Sequence, residues 1–219
     1  MNNRKYNVVV FDMDGTLIKE SCWELIHRYF NLDWERTKKI IEKYYYRKIS
    51  FSKLLMEGKK IWGQNKFPHI TQIEKALSTY TLMKNAKKAI TKLKDKNYLV
   101  ILITYGLDIL AKKVAKDLGI EHVYANELEL DEEGYPTGKQ KIHVRAGKKM
   151  EILKKISKKN HIPLSKFIVV GDSKYDLEMF DKVGFRIALN PKDREIEKEA
   201  DVVIKTNDLL EVANLILNL

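Results

Sequence analysis

One cysteine, Cys22, is all the chain has. An internal disulfide framework is excluded, and a lone thiol fits a reducing compartment; an ordinary buried thiol is its plainer role. No apolar run approaches the ~18 residues needed to span a bilayer. There is no low-complexity tract and no internal repeat. The five histidines, His27, His69, His122, His143 and His161, show no metal-ligand clustering. The segment Met1–Tyr6 is polar and leads straight into an apolar run, so no signal peptide is expected. These absences point to a cytoplasmic globular chain.

What is present is a chain of 219 residues, 44% hydrophobic and 32% charged, enough for one sizeable core and a smaller subdomain. The net charge is +11, from 41 Lys+Arg against 30 Asp+Glu. Such an excess can mark nucleic-acid binding. Here the lysines fall in dispersed pairs (Lys38-Lys39, Lys87-Lys88, Lys154-Lys155), which reads better as solvated helix faces. A basic surface also steers a phosphorylated anion inward.

The pattern changes twice along the chain. Tyr6–Phe11 reads as a buried strand. Residues 17–82 are helical and aromatic: Trp23, Ile26, Tyr29 and Phe30 share helical spacing, and Asp33 is a good N-cap for a second helix. A third helix starts near Ser50 or Ser52, and a fourth follows Pro68. From residue 83 apolar strands alternate with helices. Strands are expected at Tyr98–Ile103, His122–Ala125, Lys166–Val170, Arg186–Leu189 and Val202–Ile204. Asn126–Ile142 reads as a hairpin, and Tyr175–Val183 as a helix. The expectation is an α/β fold with a doubly wound, mostly parallel sheet, in which 1–16 and 83–219 form the core and 17–82 an inserted helical cap.

Three strand ends carry polar groups, and open α/β sheets place reactive groups at the carboxyl edge. Val8–Phe11 runs into Asp12-Met-Asp14-Gly15-Thr16. Ile101–Ile103 runs into Thr104-Tyr105-Gly106. Phe167–Val170 runs into Gly171-Asp172-Ser-Lys-Tyr-Asp176. Two acids one residue apart are costly at a buried edge unless a cation or substrate needs them. Gly15 permits a sharp turn, and Thr16 is suited to capping the segment after it.

These segments resemble the haloacid dehalogenase superfamily of phosphatases. Asp-x-Asp-Gly-Thr after an apolar strand matches its first motif, Thr104 its second and Gly-Asp-x-x-x-Asp its fourth. The third motif is a lysine. The run Lys148-Lys149-Met-Glu151-Ile152-Leu153 is similar to Lys-Gly-Glu-Ile-Leu of the phosphoserine-phosphatase branch, which selects Lys149, while a one-residue slip selects Lys148. The segment Ala125–Gly138 is similar to that branch's hairpin, so the resemblance covers essentially the whole chain.

The resemblance implies a Mg²⁺-dependent phosphoric monoester hydrolase. Asp12 is then the nucleophile, forming an aspartyl-phosphate. Asp14 is the general acid and then the base. Thr104, Tyr105, Gly106 and Lys149 hold the phosphoryl group. Asp12, the Asp14 backbone carbonyl and Asp172 hold the metal. Asp176 reads either as a supporting residue behind the metal or as a helix N-terminal acid favoured by the dipole. The implied substrate is a small phosphorylated metabolite. Phosphoryl transfer to an acceptor other than water uses the same residues. A non-catalytic nucleic-acid or acidic-partner binding module is disfavoured because the nucleophile and metal acids are all present.

The substrate-reading positions depart from that branch. Its cap Glu falls on Ser21, beside Glu20. Counting from Phe51, its cap Arg falls on Met56, which removes a bidentate carboxylate partner. Its Asn before the second acid of the fourth motif is Tyr175. Glu20, Ser21, Phe51 and Met56 are therefore the candidate specificity residues of the cap.

Overall fold

The computed structural model describes residues 5–62 and 67–219, without the side chains of Phe51, Ser52, Leu55, Trp62 and Gln140. Among the described residues seven strands form one sheet in the order β4-β3-β2-β1-β5-β6-β7. They are β1 (Val8–Phe11), β2 (Leu99–Leu107), β3 (His122–Leu130), β4 (Pro136–Lys141), β5 (Phe167–Gly171), β6 (Phe185–Leu189) and β7 (Val202–Ile204). All neighbours pair in parallel except β3 and β4. Every residue of β1 and β5 is buried, as a strand covered by helices on both faces requires.

Alternation along β1 divides the core. Val9 and Phe11 join Leu102, Ile168 and Val170 on one face of the sheet. Helices α5 (Ala86–Asp95), α6 (Asp108–Leu118) and α10 (Leu209–Leu217) cover that face. Val8 and Val10 join Ile101, Ile103 and Val169 on the other, under α7 (Lys149–Asn160), α8 (Leu177–Phe180) and α9 (Arg194–Glu199).

Between β1 and α5 the described residues form four helices: α1 (Cys22–Tyr29), α2 (Trp34–Tyr45), α3 (Phe51–Trp62) and α4 (Ile70–Leu77). Asp33 caps α2, accepting from Arg36 N at 2.9 Å. Leu25 and Ile26 of α1, with Ile73 and Leu77 of α4, are continuous with the core on the α5 face. Tyr29 departs from the expected apolar face. It is 42% exposed, while Cys22, Leu25 and Ile26 turn inward.

Two segments differ from the sequence expectation in ways that matter for the site. β2 continues past Ile103 to Leu107, and its register against β3 shifts between Ile103 and Leu107. Thr104-Tyr105-Gly106 therefore lie in a bulge inside the strand, a device that re-aims side chains. The expected helix Tyr175–Val183 is instead a 3₁₀ turn, Lys174–Asp176, followed by the short α8. The turn arises because Asp176 folds back to cap it: its Oδ2 accepts from Asp172 N at 3.1 Å and Ser173 N at 3.3 Å. The hairpin forms as expected, except that β3 itself supplies its first arm. Its turn is an Asx turn, with Asp131 Oδ1 accepting from Glu133 N and Tyr135 N.

Candidate active site

The carboxyl ends of β1, β2 and β5 lie side by side at the centre of the sheet, where the strand order reverses direction from β1. β1 delivers Asp12, held in register by Asp12 N donating to Val170 O at 3.0 Å. β5 delivers Asp172, and the turn after it delivers Asp176. Ligand oxygens of Asp12, Asp172 and Asp176 all lie within 4.8 Å of one another, and all three residues are buried.

Lys149, at the start of α7, reaches into this cluster with 1% of its side chain exposed. Its Nζ donates to Asp12 Oδ1 at 2.6 Å and to Asp176 Oδ1 at 2.7 Å. Lys148 instead points outward and pairs with Glu151 at 2.7 Å. The Lys149 ammonium also sits 4.6 Å from the centre of the Tyr105 ring. Tyr105 is fixed there, donating to Glu178 and accepting from Gly147 N at 3.0 Å. Its hydroxyl is thus engaged with the protein, and its contribution to the site is the ring beneath the lysine.

Burial works against every charge here. It pushes the Asp12 carboxyl up, with Lys149 opposing and the neighbouring acids adding to the rise. It carries Asp14 to about 7 and Asp172 to about 6. For Lys149 burial disfavours the ammonium, but Asp12 and Asp176 outweigh it and the net shift is upward.

A second cation was not apparent in the sequence. Lys192, in the loop after β6, places Nζ 2.6 Å from Asp172 Oδ2. Its approach depends on Gly15, whose φ of +79° makes the turn after Asp14; a Cβ there would lie 2.0 Å from Asp172 Oδ2 and 2.6 Å from Lys192 Nζ. The available signal was weak: a strand, β6, ending in the polar Asn190-Pro-Lys192-Asp193 at the same sheet edge.

Four carboxylates, Asp12, Asp14, Asp172 and Asp176, thus face two ammonium groups, Lys149 and Lys192. Asp14 Oδ1 is buried without a hydrogen-bond partner. An excess of negative charge among hard oxygen donors suits a divalent cation such as Mg²⁺. Asp176 already uses Oδ1 for Lys149 and Oδ2 for the Asp172 and Ser173 amides, which suits it to support such an ion from behind.

Thr104 Oγ1 accepts from Gly106 N at 2.9 Å, and among the described residues its own proton has no acceptor. Gly106 is needed for closeness: a Cβ would sit 3.0 Å from Met13 Cε and 3.2 Å from Cys22 Cβ. Thr16 does not cap. Its hydroxyl is buried without a hydrogen-bond partner: the chain after Gly15 makes a tight turn, with Leu17 N and Ile18 N both donating to Met13 O, and then bridges Ile18 to Leu82 rather than entering a helix. Cys22 is buried and its thiol is pushed up by burial, as an inert structural thiol should be.

A cavity of about 740 Å³ opens over these groups, walled by α1, α2, α3 and the hairpin. Ser21, Thr104, Tyr105 and Gly106 line it together with Asp12, Asp14, Lys149, Asp172 and Asp176. Glu20 and Met56, expected to read the substrate, do not line it. Glu20 is spent on the chain's return, accepting from Thr81 N at 2.9 Å. Met56 is 46% exposed; it lies about 200° around the helix from Leu54. Leu54 and Gly58 are the residues of α3 that face the cavity. The side chain of Phe51 lies outside the described part of the structure.

The chain matches the family model for the haloacid dehalogenase-like hydrolase over residues 9–181. It is 32% identical over 210 residues to the phosphoserine phosphatase of Methanocaldococcus jannaschii, covering 95% of this chain and 97% of that one. It is 28% identical to the phosphoserine phosphatase of Archaeoglobus fulgidus over 98% of this chain, which spans 61% of that longer protein. Among solved structures it is similar to a phospho-aspartyl intermediate analogue of phosphoserine phosphatase, with a TM-score of 0.81 and 30% identity over 97% of this chain and 99% of that one. A substrate-bound phosphoserine phosphatase complex matches with the same TM-score, identity and coverage.

Proposed function

The chain belongs to the haloacid dehalogenase-like hydrolases and is a phosphoserine-phosphatase-like phosphoric monoester hydrolase, and from that premise we propose that it hydrolyses a small phosphorylated metabolite through an aspartyl-phosphate on Asp12. The observation that carries the reading is the buried contact of Lys149 with both Asp12 and Asp176, beside Asp172.

In the first step an Asp12 carboxylate oxygen attacks phosphorus and the bond to the ester oxygen breaks. Asp14, whose carboxyl is raised to about 7, hands its proton to the departing alkoxide. In the second step Asp14 takes a proton from water as the water attacks the aspartyl-phosphate, restoring Asp12. Thr104 donates its free hydroxyl proton to a phosphoryl oxygen, and Lys149 offsets the charge that Asp12 and the phosphoryl group share. Asp12, Asp172 and the Asp14 backbone carbonyl would hold Mg²⁺, with Asp176 behind them. That ion would supply further charge neutralisation on the transferring group.

Residues 17–82 act as the cap that covers the reaction. The cavity lies between them and the sheet edge, which supports this. No helix among the described residues is long and apolar enough to cross a membrane. The test is Asp12→Asn assayed with Mg²⁺ on a panel of phosphomonoesters. Loss of turnover with an unchanged far-UV spectrum is expected; near-wild-type phosphate release from this variant rejects Asp12 as nucleophile.

A further inference from the structure

The catalytic groups do not explain the cavity's size or its walls. Its volume of about 740 Å³ lies in the range that accommodates drug-sized ligands. Beyond the catalytic groups its lining includes Trp23, Ile26, Trp34, Leu54, Leu128 and Ile142, among polar residues such as Ser21, Lys38 and Lys139. Of these apolar side chains all but Ile26 are only half-buried, so large apolar side chains are left uncovered inside a concave site.

Apart from Lys38, the charged groups of the wall stand near partners of opposite charge. Lys174 donates to Glu42 at 2.8 Å, and Glu24 accepts from Arg28 at 2.5 Å. Lys139 stands 3.9 Å from Glu129. His27 is buried against both neighbours, with Nδ1 on Trp23 O at 2.7 Å and Nε2 on Thr37 Oγ1 at 2.8 Å. Lys38 is exposed and has no ion-pair partner among the described residues. A zwitterionic alcohol such as serine would set an ammonium and a carboxylate against these walls; Lys38 alone could answer the carboxylate, and the ammonium would lose water for little return.

We propose that the leaving alcohol is bulky and apolar, so that the substrate is an alkyl or aralkyl phosphomonoester whose hydrocarbon body covers Trp23, Trp34 and Leu54, rather than an amino-acid phosphate. This rests on the reading of the site as a phosphomonoesterase. The hydrocarbon supplies binding that the phosphoryl end cannot, and remote binding of that kind raises kcat/KM. Added hydrocarbon that fills an apolar pocket discriminates between otherwise similar substrates.

The test compares ethyl, isopentyl and 3-phenylpropyl phosphates with O-phosphoserine, all primary alcohols that differ mainly in body. The expected order of kcat/KM is 3-phenylpropyl, isopentyl, then ethyl, with at least about tenfold between the ends and phosphoserine no better than ethyl. Trp34→Ala should narrow the phenylpropyl-to-ethyl ratio at least about fivefold. A ratio within one preparation is insensitive to the folded fraction. A flat series, or phosphoserine leading with a KM that rises in Lys38→Ala, overturns the apolar assignment and leaves the phosphatase reading standing. Hydrolysis of none of the four in Mg²⁺ overturns both.

Discussion

Lys149 and Asp12 are buried together, with Nζ 2.6 Å from Oδ1 and 1% and 7% of the two side chains exposed. Removing one partner of such a pair strands the other charge. Lys149→Met should therefore cost about 3–5 kcal/mol in denaturant unfolding, because Asp12 and Asp176 both lose their cation. Adding Asp12→Asn to that variant should recover part of the loss without restoring turnover. If the double variant is as unstable as the single, the pair is not what the lysine stabilises.

The acids of the site make stability depend on pH in a definable direction. Asp172 is raised by burial from 3.8 to about 6 and Asp14 to about 7, so the folded state holds protons that the unfolded chain has released. A raised carboxyl contributes stability below its unfolded value and loses it as pH climbs through the folded value. The metal-free protein should lose stability as pH rises from about 4 to 7. For Asp172 the loss is on the order of 3 kcal/mol at most. Melting curves in chelator across that range, with Asp172→Asn as the comparison, measure it. The variant should show a shallower slope and a higher Tm than the parent at pH 8, and Mg²⁺ should raise the parent's Tm more than the variant's.

Much of this site was legible in the sequence because its groups follow apolar runs. Asp12, Thr104 and Asp172 each stand at the end or in the continuation of a buried strand, and parallel pairing brings such ends together. Lys192 was not legible, since its approach depends on the missing Cβ of Gly15 and on a loop conformation that no local pattern encodes. Residues 17–82 are less legible than the sheet. Counting along a helix ignores rotation, so it points to Met56 where Leu54 and Gly58 turn inward. Glu20 has the chemistry of a binding acid, but a backbone amide at Thr81 claims it. The 3₁₀ turn at Lys174–Asp176 escapes a pattern reading because the carboxylate that shapes it also serves the site.

Asp14 should separate substrates by leaving group. Its carboxyl is the proton donor in the proposed first step, so Asp14→Asn should slow alkyl phosphate hydrolysis by about 10²–10⁴-fold. p-Nitrophenyl phosphate expels a stable phenolate that needs little protonation, and its first step should suffer much less. Burst kinetics on that substrate should then show accumulated aspartyl-phosphate, since the second step still lacks its base. Equal losses on both substrates would remove Asp14 from the acid role.

The proposed cap meets the sheet edge through α2. Tyr45, at the end of α2, donates to Lys174 O at 3.0 Å, and its ring meets that of Tyr175 edge-on at 4.4 Å. Lys174 Nζ returns to Glu42 of the same helix at 2.8 Å. These contacts join α2 to the turn that carries Asp176, two residues away from Lys174. The Lys174–Glu42 pair is partly exposed, so its worth to global stability is below about 1 kcal/mol. Set against cap opening alone, that same energy is still up to a severalfold shift in the closed population. Lys174→Ala and Tyr45→Phe should leave Tm within a few degrees of the parent. Each should raise KM severalfold while kcat falls little, and the KM effect of Lys174→Ala should shrink at high salt, where the ion pair it removes is already screened. A KM that stays at the parent value in both variants would show that this contact does not hold the cap closed.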